Sequence, residues 1–205
     1  MTIVVPRGAE ARAVRKGNPQ ARIVEVAAGA QAGTLLPEIA AGELVVVLGL
    51  CGALRDRRVG DVVVYRRVAD GTAAIDLDAA LREELAPVLG ATIVDAWTAD
   101  HVVTTVTERT ALASRSQADV VDMEGTHLAR ALAARGVRIA MVRVVSDDAS
   151  RDLPALERAV RANGTVDAAR IAWAFVRTPR AAFAFARDVR SALSRLGETA
   201  AAVLI

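Results

Sequence analysis

The chain is poor in aromatic residues, cysteine and histidine, and each scarcity excludes something. Aromatics make up 3% of its 205 residues. The core must therefore be built mostly from Ala, Val and Leu, and few rings are left to stack on a flat ligand. The single cysteine, Cys51, excludes an internal disulfide and fits a reducing compartment. Two histidines, His101 and His127, without Cys or a carboxylate cluster at ligand spacing, make no case for a metal site. No uninterrupted apolar run approaches the ~20 residues needed to span a bilayer. The N-terminus reaches Glu10 before any signal-peptide core could form. These absences point to a cytoplasmic protein, with peripheral membrane contact left open. Charge is nearly balanced, 26 basic against 24 acidic residues, unlike the concentrated basic charge of a nucleic-acid binder.

What is present reads as a globular α/β chain. A hydrophobic share of 53% with 24% charged residues excludes disorder, and the length suits one domain with a sizeable core. Apolar runs at Thr2 to Val5, Ile23 to Val26, Leu44 to Leu48, Val62 to Tyr65, Ala91 to Trp97 and Val137 to Val145 predict strands. Leu44 to Leu48 is apolar throughout, as a buried central strand is. It enters GLCGAL, read as a glycine-bracketed turn whose backbone N–H groups face a ligand oxygen. Ala79 to Leu89 predicts a helix. Beyond Ser150 come three helical stretches, Leu153 to Val160, Val166 to Val176 and Arg180 to Leu196, a helical extension over 151–205 of a single domain. The last carries Ala182, Phe185, Ala186, Val189, Leu193 and Leu196 on one face, with Arg187, Arg190 and Arg195 elsewhere. A helix docked on the protein body is favoured over one lying on an anionic membrane.

The stretch from Val120 to Ser150 organises the rest. A short strand stops at Asp122, a helix begins at Glu124, and a β-branched run ends in Ser146-Asp147-Asp148. Two carboxylates, Glu124 and Asp147, thus arrive from different elements at the carboxyl end of a sheet, where ligands collect in open α/β folds.

These residues carry a resemblance. VDMEG, a helix and VRVVSDD resemble the purine nucleoside phosphorylase and nucleosidase superfamily, whose pattern is V-D/E-M-E-x, a helix, and a strand ending R-x-x-S-D. GAEAR and GLCGALRDRRVGDVVV have counterparts there too. GLCGAL, TADHVVTT and the tail DLPALERAVRANGTVD…RTPRAAFAFARDVRSAL are similar to hopanoid-associated phosphorylases, thought to remove adenine from adenosylhopane. The resemblance implies a three-layer αβα sandwich around a central mixed, partly barrel-like sheet, and a homo-oligomer. It implies no cofactor, with phosphate as a possible co-substrate, and a small nucleoside rather than a nucleic acid as ligand.

By the same resemblance, Asp147 delivers a proton to the leaving base. That role calls for a raised pKa, from burial and a nearby carboxylate. Glu124 binds the ribose hydroxyls and Met123 packs under the sugar. Ser146 precedes the acid, and the turn with Cys51 and Gly52 lines the ribose. Cys51 reads as a small buried apolar residue rather than a nucleophile. Val102 stands where a base-stacking Phe is found in adenine-specific nucleosidases. With Val103 it forms an apolar slot beside His101. Glu10 matches the acidic residue of the nucleosidase branch that orients a water or contacts the ribose. Arg7, Arg12 and the Gly49–Gly52 turn are candidate phosphate donors, but Leu50, Cys51 and Ala53 supply none of the hydroxyls that many phosphorolytic members place in the turn. The segment after Tyr65, long in most members, is much shortened. Phosphorolysis, hydrolysis of the methylthioadenosine/adenosylhomocysteine type and non-catalytic nucleoside binding all stay open at this level.

Overall fold

The computed structural model describes residues 1–34, 36, 39–153 and 179–203. The strands are β1 (Thr2–Pro6), β2 (Arg22–Val26), β3 (Leu44–Ala53), β4 (Val62–Ala69), β5 (Ala74–Asp76), β6 (Thr92–Thr98), β7 (Val120–Asp122) and β8 (Arg138–Asp147). The helices are α1 (Ala9–Gly17), α2 (Ala79–Leu89), α3 (Val106–Ser116), α4 (Gly125–Ala133) and α5 (Pro179–Ala202), with a 3-10 turn at Gly29–Gly33. The helices expected over 153–160 and 166–176 lie outside the described residues, apart from Leu153.

One mixed sheet runs β2-β1-β3-β7-β6-β4-β5, and β8 pairs with both β3 and β4. Strands β3, β7, β6, β4 and β8 therefore close a ring, and β1 and β2 extend it on one side. The expected mixed, partly barrel-like sheet is observed. β3 and β8 run parallel from Leu44↔Arg138 to Cys51↔Val145, then slip by one residue so that Gly52 faces Asp147. That slip at the carboxyl ends of two parallel strands sets the position of Asp147.

Side-chain alternation explains the apolar run of β3. Val45 and Val47 enter one core with Leu128 and Leu132 of α4. Val46 and Leu48 enter another, with Leu81 and Leu85 of α2, Val14 of α1 and Leu196 and Ala200 of α5. Both faces are covered, so neither can be polar. α2 is capped by Asp78, which accepts the Leu81 N–H, and ends on Gly90 in the left-handed region.

α5 docks against the body, through fully buried Ala182, Ala192, Leu196 and Ala200, while Arg187, Arg190 and Arg195 face outward. It crosses α1 at two glycines. A Cβ on Gly17 would lie 1.9 Å from the Gly197 carbonyl oxygen. Asn18 Nδ2, just past α1, donates to the Ala200 carbonyl at 3.0 Å and satisfies a group the helix end leaves unpaired. Among the described residues, no helix is long and apolar enough to cross a membrane.

Candidate active site

GLCGAL is not a turn. Gly49 to Ala53 continue β3: Gly49 to Cys51 pair with Arg143 to Val145 of β8, Gly52 lies past the slip opposite Asp147, and Ala53 pairs with Val120 of β7. The two glycines serve close approach instead. A Cβ on Gly49 would lie 2.9 Å from Arg143 Nη1 and 3.0 Å from Glu10 Oε1, and one on Gly52 would lie 2.9 Å from Asp147 Oδ2. The Leu50 N–H, read from sequence as a ligand donor, is taken by Glu10 Oε1 at 2.7 Å. Glycine spacing alone does not distinguish a turn from a strand that must pass close to buried charges.

At this end of the sheet lies a cavity of about 180 Å³. Glu10, Cys51, Gly52, Val102, Val103, Met123, Glu124, Ser146 and Asp147 all line it, joined by His101, Arg109 and Asp122. Glu10 comes from the first turn of α1, whose entry is made by Gly8 at φ +100°. Glu124 stands at the N-cap position of α4 without capping it by its side chain, whose Oε1 instead accepts the Gly29 N–H at 2.8 Å. Arg7 and Arg12 are exposed and are not part of the lining. His127 lies in a neighbouring cavity with Trp97. Among the described residues no group of His, Cys, Asp or Glu is placed to hold a metal ion.

The electrostatics around Glu10 and Glu124 turn on the buried cation Arg143. Arg143 is fully buried, with Nη2 3.5 Å from Asp122 Oδ2 and its guanidinium 5.8 Å from the Tyr65 ring centre. Asp122 also accepts from Thr98 Oγ1 at 2.9 Å, the Gly125 N–H at 3.0 Å and Tyr65 OH at 3.3 Å. Asp122 is thereby fully engaged in structure. Glu10 and Glu124 are left as the two carboxyls sharing the remaining field. Burial first, and the neighbouring Glu124 charge second, push Glu10 up to about 7; the Leu50 N–H and Arg143 pull the other way. Glu124 is raised too, by burial and then by Asp122. Burial drives the Cys51 thiol upward, which removes it as a nucleophile at neutral pH.

Asp147 has a different neighbour from the carboxylate expected. Its Oδ2 lies 2.5 Å from Nη2 of Arg109, a side chain 1% exposed. Ser146 Oγ lies 2.6 Å from Oδ1. The Arg109 contact is charge to charge without hydrogen-bond alignment, so Oδ2 has no hydrogen-bond donor among the described residues. A buried oxygen with an unused lone pair on a cavity wall suits an N–H or a proton supplied by a ligand. His101, expected beside the base slot, does line the cavity. Its Nδ1 lies 2.5 Å from Asp100 Oδ1 and its Nε2 2.6 Å from Glu108 Oε1. Those bonds, Asp100 first, raise its pKa.

Sequence reasoning overlooked Arg109, Asp122 and Arg143. Asp122 and Arg143 stand inside the two motifs already singled out. Arg109 had a subtler signal: Thr105-Val-Thr-Glu108 is a capping box, and Thr105 does cap α3 by accepting the Glu108 N–H.

The arrangement combines an acid-base carboxyl near neutrality, a second carboxyl able to accept from hydroxyls, and an apolar slot beside an aspartate. No curated protein matches the sequence of this chain. Solved structures match its fold. The 5′-methylthioadenosine/S-adenosyl homocysteine nucleosidase of Helicobacter pylori, complexed with a pyrrolidine-based ligand, superposes with a TM-score of 0.68 at 13% identity, covering 97% of this chain and 94% of that one. Futalosine hydrolase of the same organism gives 0.67 at 14% identity, over 98% and 93%. The 5′-methylthioadenosine nucleosidase of Arabidopsis thaliana gives 0.63 at 14% identity, over 97% and 90%. A family model matches residues 13–177, from within α1 through β8 and its acid to the approach to α5, and by that match the chain belongs to the phosphorylase superfamily.

Proposed function

We propose that this protein hydrolyses the N-glycosidic bond of a purine nucleoside and releases the base, adenine in the first instance. The observation that carries this is Glu10. A carboxyl brought to about 7 on the cavity wall is half-ionised at neutral pH, the condition under which a general base works best. Water gives its proton to Glu10 as its oxygen bonds to the anomeric carbon. The carbon–nitrogen bond breaks, its electron pair leaves with the base, and a proton taken up from solvent reaches that base on the Asp147 carboxylate, whose charge partner is Arg109. The transition state carries positive charge on the sugar, as in glycoside hydrolysis. Glu124, with one oxygen on the Gly29 N–H, has the other for the ribose hydroxyls, and its negative charge favours that sugar. Met123 supports the ring, and Val102 and Val103 receive the base.

Phosphorolysis fits less well. The candidate phosphate donors Arg7 and Arg12 lie outside the cavity, and the Leu50 N–H is held by Glu10. Among the described residues, a phosphate there would meet Glu10 and Glu124, and the nearby cations Arg109 and Arg143 are already engaged with Asp147 and Asp122. The structural neighbours carry the names of nucleosidases and a hydrolase, in keeping with water as the acceptor. The likeness of GLCGAL, TADHVVTT and the tail to the hopanoid-associated group supports a lipid-linked adenosyl nucleoside among the substrates.

The test is adenine release from adenosine, methylthioadenosine and a lipid-linked adenosyl substrate, with and without phosphate, by wild type and Asp147→Asn. Release independent of phosphate and nearly lost in Asp147→Asn is expected. Release only with phosphate would replace water by phosphate as acceptor, and no release from any substrate would overturn the reaction.

A further inference from the structure

Arg109 is a buried guanidinium that enters the steps above only as the charge partner of Asp147. Its Nη1 donates to the carbonyls of Ala53, at the end of β3, and Asp148, just past β8, at 3.1 and 3.0 Å. Its Nη2 donates to the Val103 carbonyl at 3.1 Å and stands 2.5 Å from Asp147 Oδ2. One nitrogen therefore touches both the slot that would receive the base and the acid that would protonate it. The base reaches Asp147 from that slot, so the spacing between the two is the spacing the reaction needs.

We infer that Arg109 is the positioning residue of this site: it fixes the distance from base slot to acid through Nη2 and holds the Asp147 carboxylate in place by charge. This rests on the hydrolytic reading above and deepens it. Three features of the geometry support it. A planar fork can hold several acceptors in fixed directions, which a flexible ammonium cannot. The ion pair lacks hydrogen-bond alignment, so Arg109 restrains Asp147 without occupying the lone pair of Oδ2. The guanidinium is tied to two strand ends and to the loop before α3, so it cannot move without moving all three.

Two readouts test it, and the first needs no substrate. Arg109→Met strips a buried carboxylate of its counter-charge, and Tm should fall by roughly 10 °C. Adding Asp147→Asn should restore about half of that loss, because the stranded charge is gone. Additive losses would show that Arg109 does not act on Asp147 and would overturn the inference, whether or not the protein cleaves nucleosides. The second readout is kinetic. Arg109→Met should lower kcat by ~10²-fold, the cost of displacing a reacting group by about an ångström. KM should rise about tenfold as the slot loosens. Arg109→Lys keeps the charge and loses the fork, so kcat should recover to within ~10-fold while KM stays high. In the residual activity of Asp147→Asn, Arg109→Met should change kcat little. Equal kcat losses for Lys and Met, or the same loss with and without Asp147, would refute the positioning role. A wild type that cleaves nothing would refute the reaction, and the Tm cycle would then decide on Arg109 alone.

Discussion

Replacing Glu10 by glutamine should make the protein more stable and less active, and the two effects should share one pH window. In the folded chain the Glu10 carboxyl is carried from 4.5 to about 7, burial and Glu124 being the main causes. Below pH 4.5 the group is protonated in folded and unfolded chains alike, and folding costs nothing on its account. Between 4.5 and 7 the unfolded chain ionises and the folded one does not. Stability is therefore lost across that interval and stays low above it. The interval is worth at most about 3 kcal/mol. Glutamine keeps an oxygen for the Leu50 N–H and removes the titration. At pH 8 Glu10→Gln should gain about 1–3 kcal/mol, a rise of roughly 3–10 °C in Tm for a chain of this size. At pH 4 the two proteins should melt together. Activity should run the other way: wild-type kcat rises as Glu10 ionises through about 7, and the variant loses ~10²–10⁴ in rate with no such limb. Urea unfolding at intervals from pH 4 to 8, with adenine release on the same samples, measures both. A variant with wild-type kcat, or one no more stable than wild type at pH 8, would refute the assignment of Glu10 as a buried base.

Two glycines give further tests. Gly52→Ala places a methyl 2.9 Å from Asp147 Oδ2 and 3.4 Å from Val121 Cγ1. It should cut kcat by more than ~10-fold at a stability cost of about 1–3 kcal/mol, and unchanged kcat would show that the acid has room to spare. Gly17→Ala sets a methyl 1.9 Å from a backbone oxygen of α5, which cannot rotate away. A loss of about 3 kcal/mol or more, seen as a lower Tm with no direct effect on the site, is expected. An unchanged Tm would contradict the close crossing of α1 and α5.

The strands other than β5, an exposed three-residue edge, were legible because both faces of the sheet are buried there, so that Val45 to Leu48 must be apolar throughout. α2 was legible to the residue, since Asp78 and Gly90 mark its ends. The glycines of β3 misled for a physical reason. Their demand for space comes from Arg143, Glu10 and Asp147, which are 39 or more residues away, and local sequence carries no trace of such neighbours. Arg109 was missed likewise, because an arginine on a short helix reads as solvated until the fold buries it. Asp147 and Glu124 were found through their motif; that Asp147 meets a guanidinium while Glu10 meets a carboxylate depends on which strands pair, and β8 pairs with two.

The docking of α5 on α1 has a consequence for how the protein is made. α5 leaves the ribosome after every strand of the sheet, yet it covers Val46, Val142 and Val144 and rests on the helix that carries Glu10. During synthesis the ring of strands can close while one of its apolar faces is still bare. That face is then a chaperone target, or a site of misassembly, until the final helix arrives. A chain that has released β8 but not yet α5 would have its sheet closed while α1, which carries Glu10, is still unclamped.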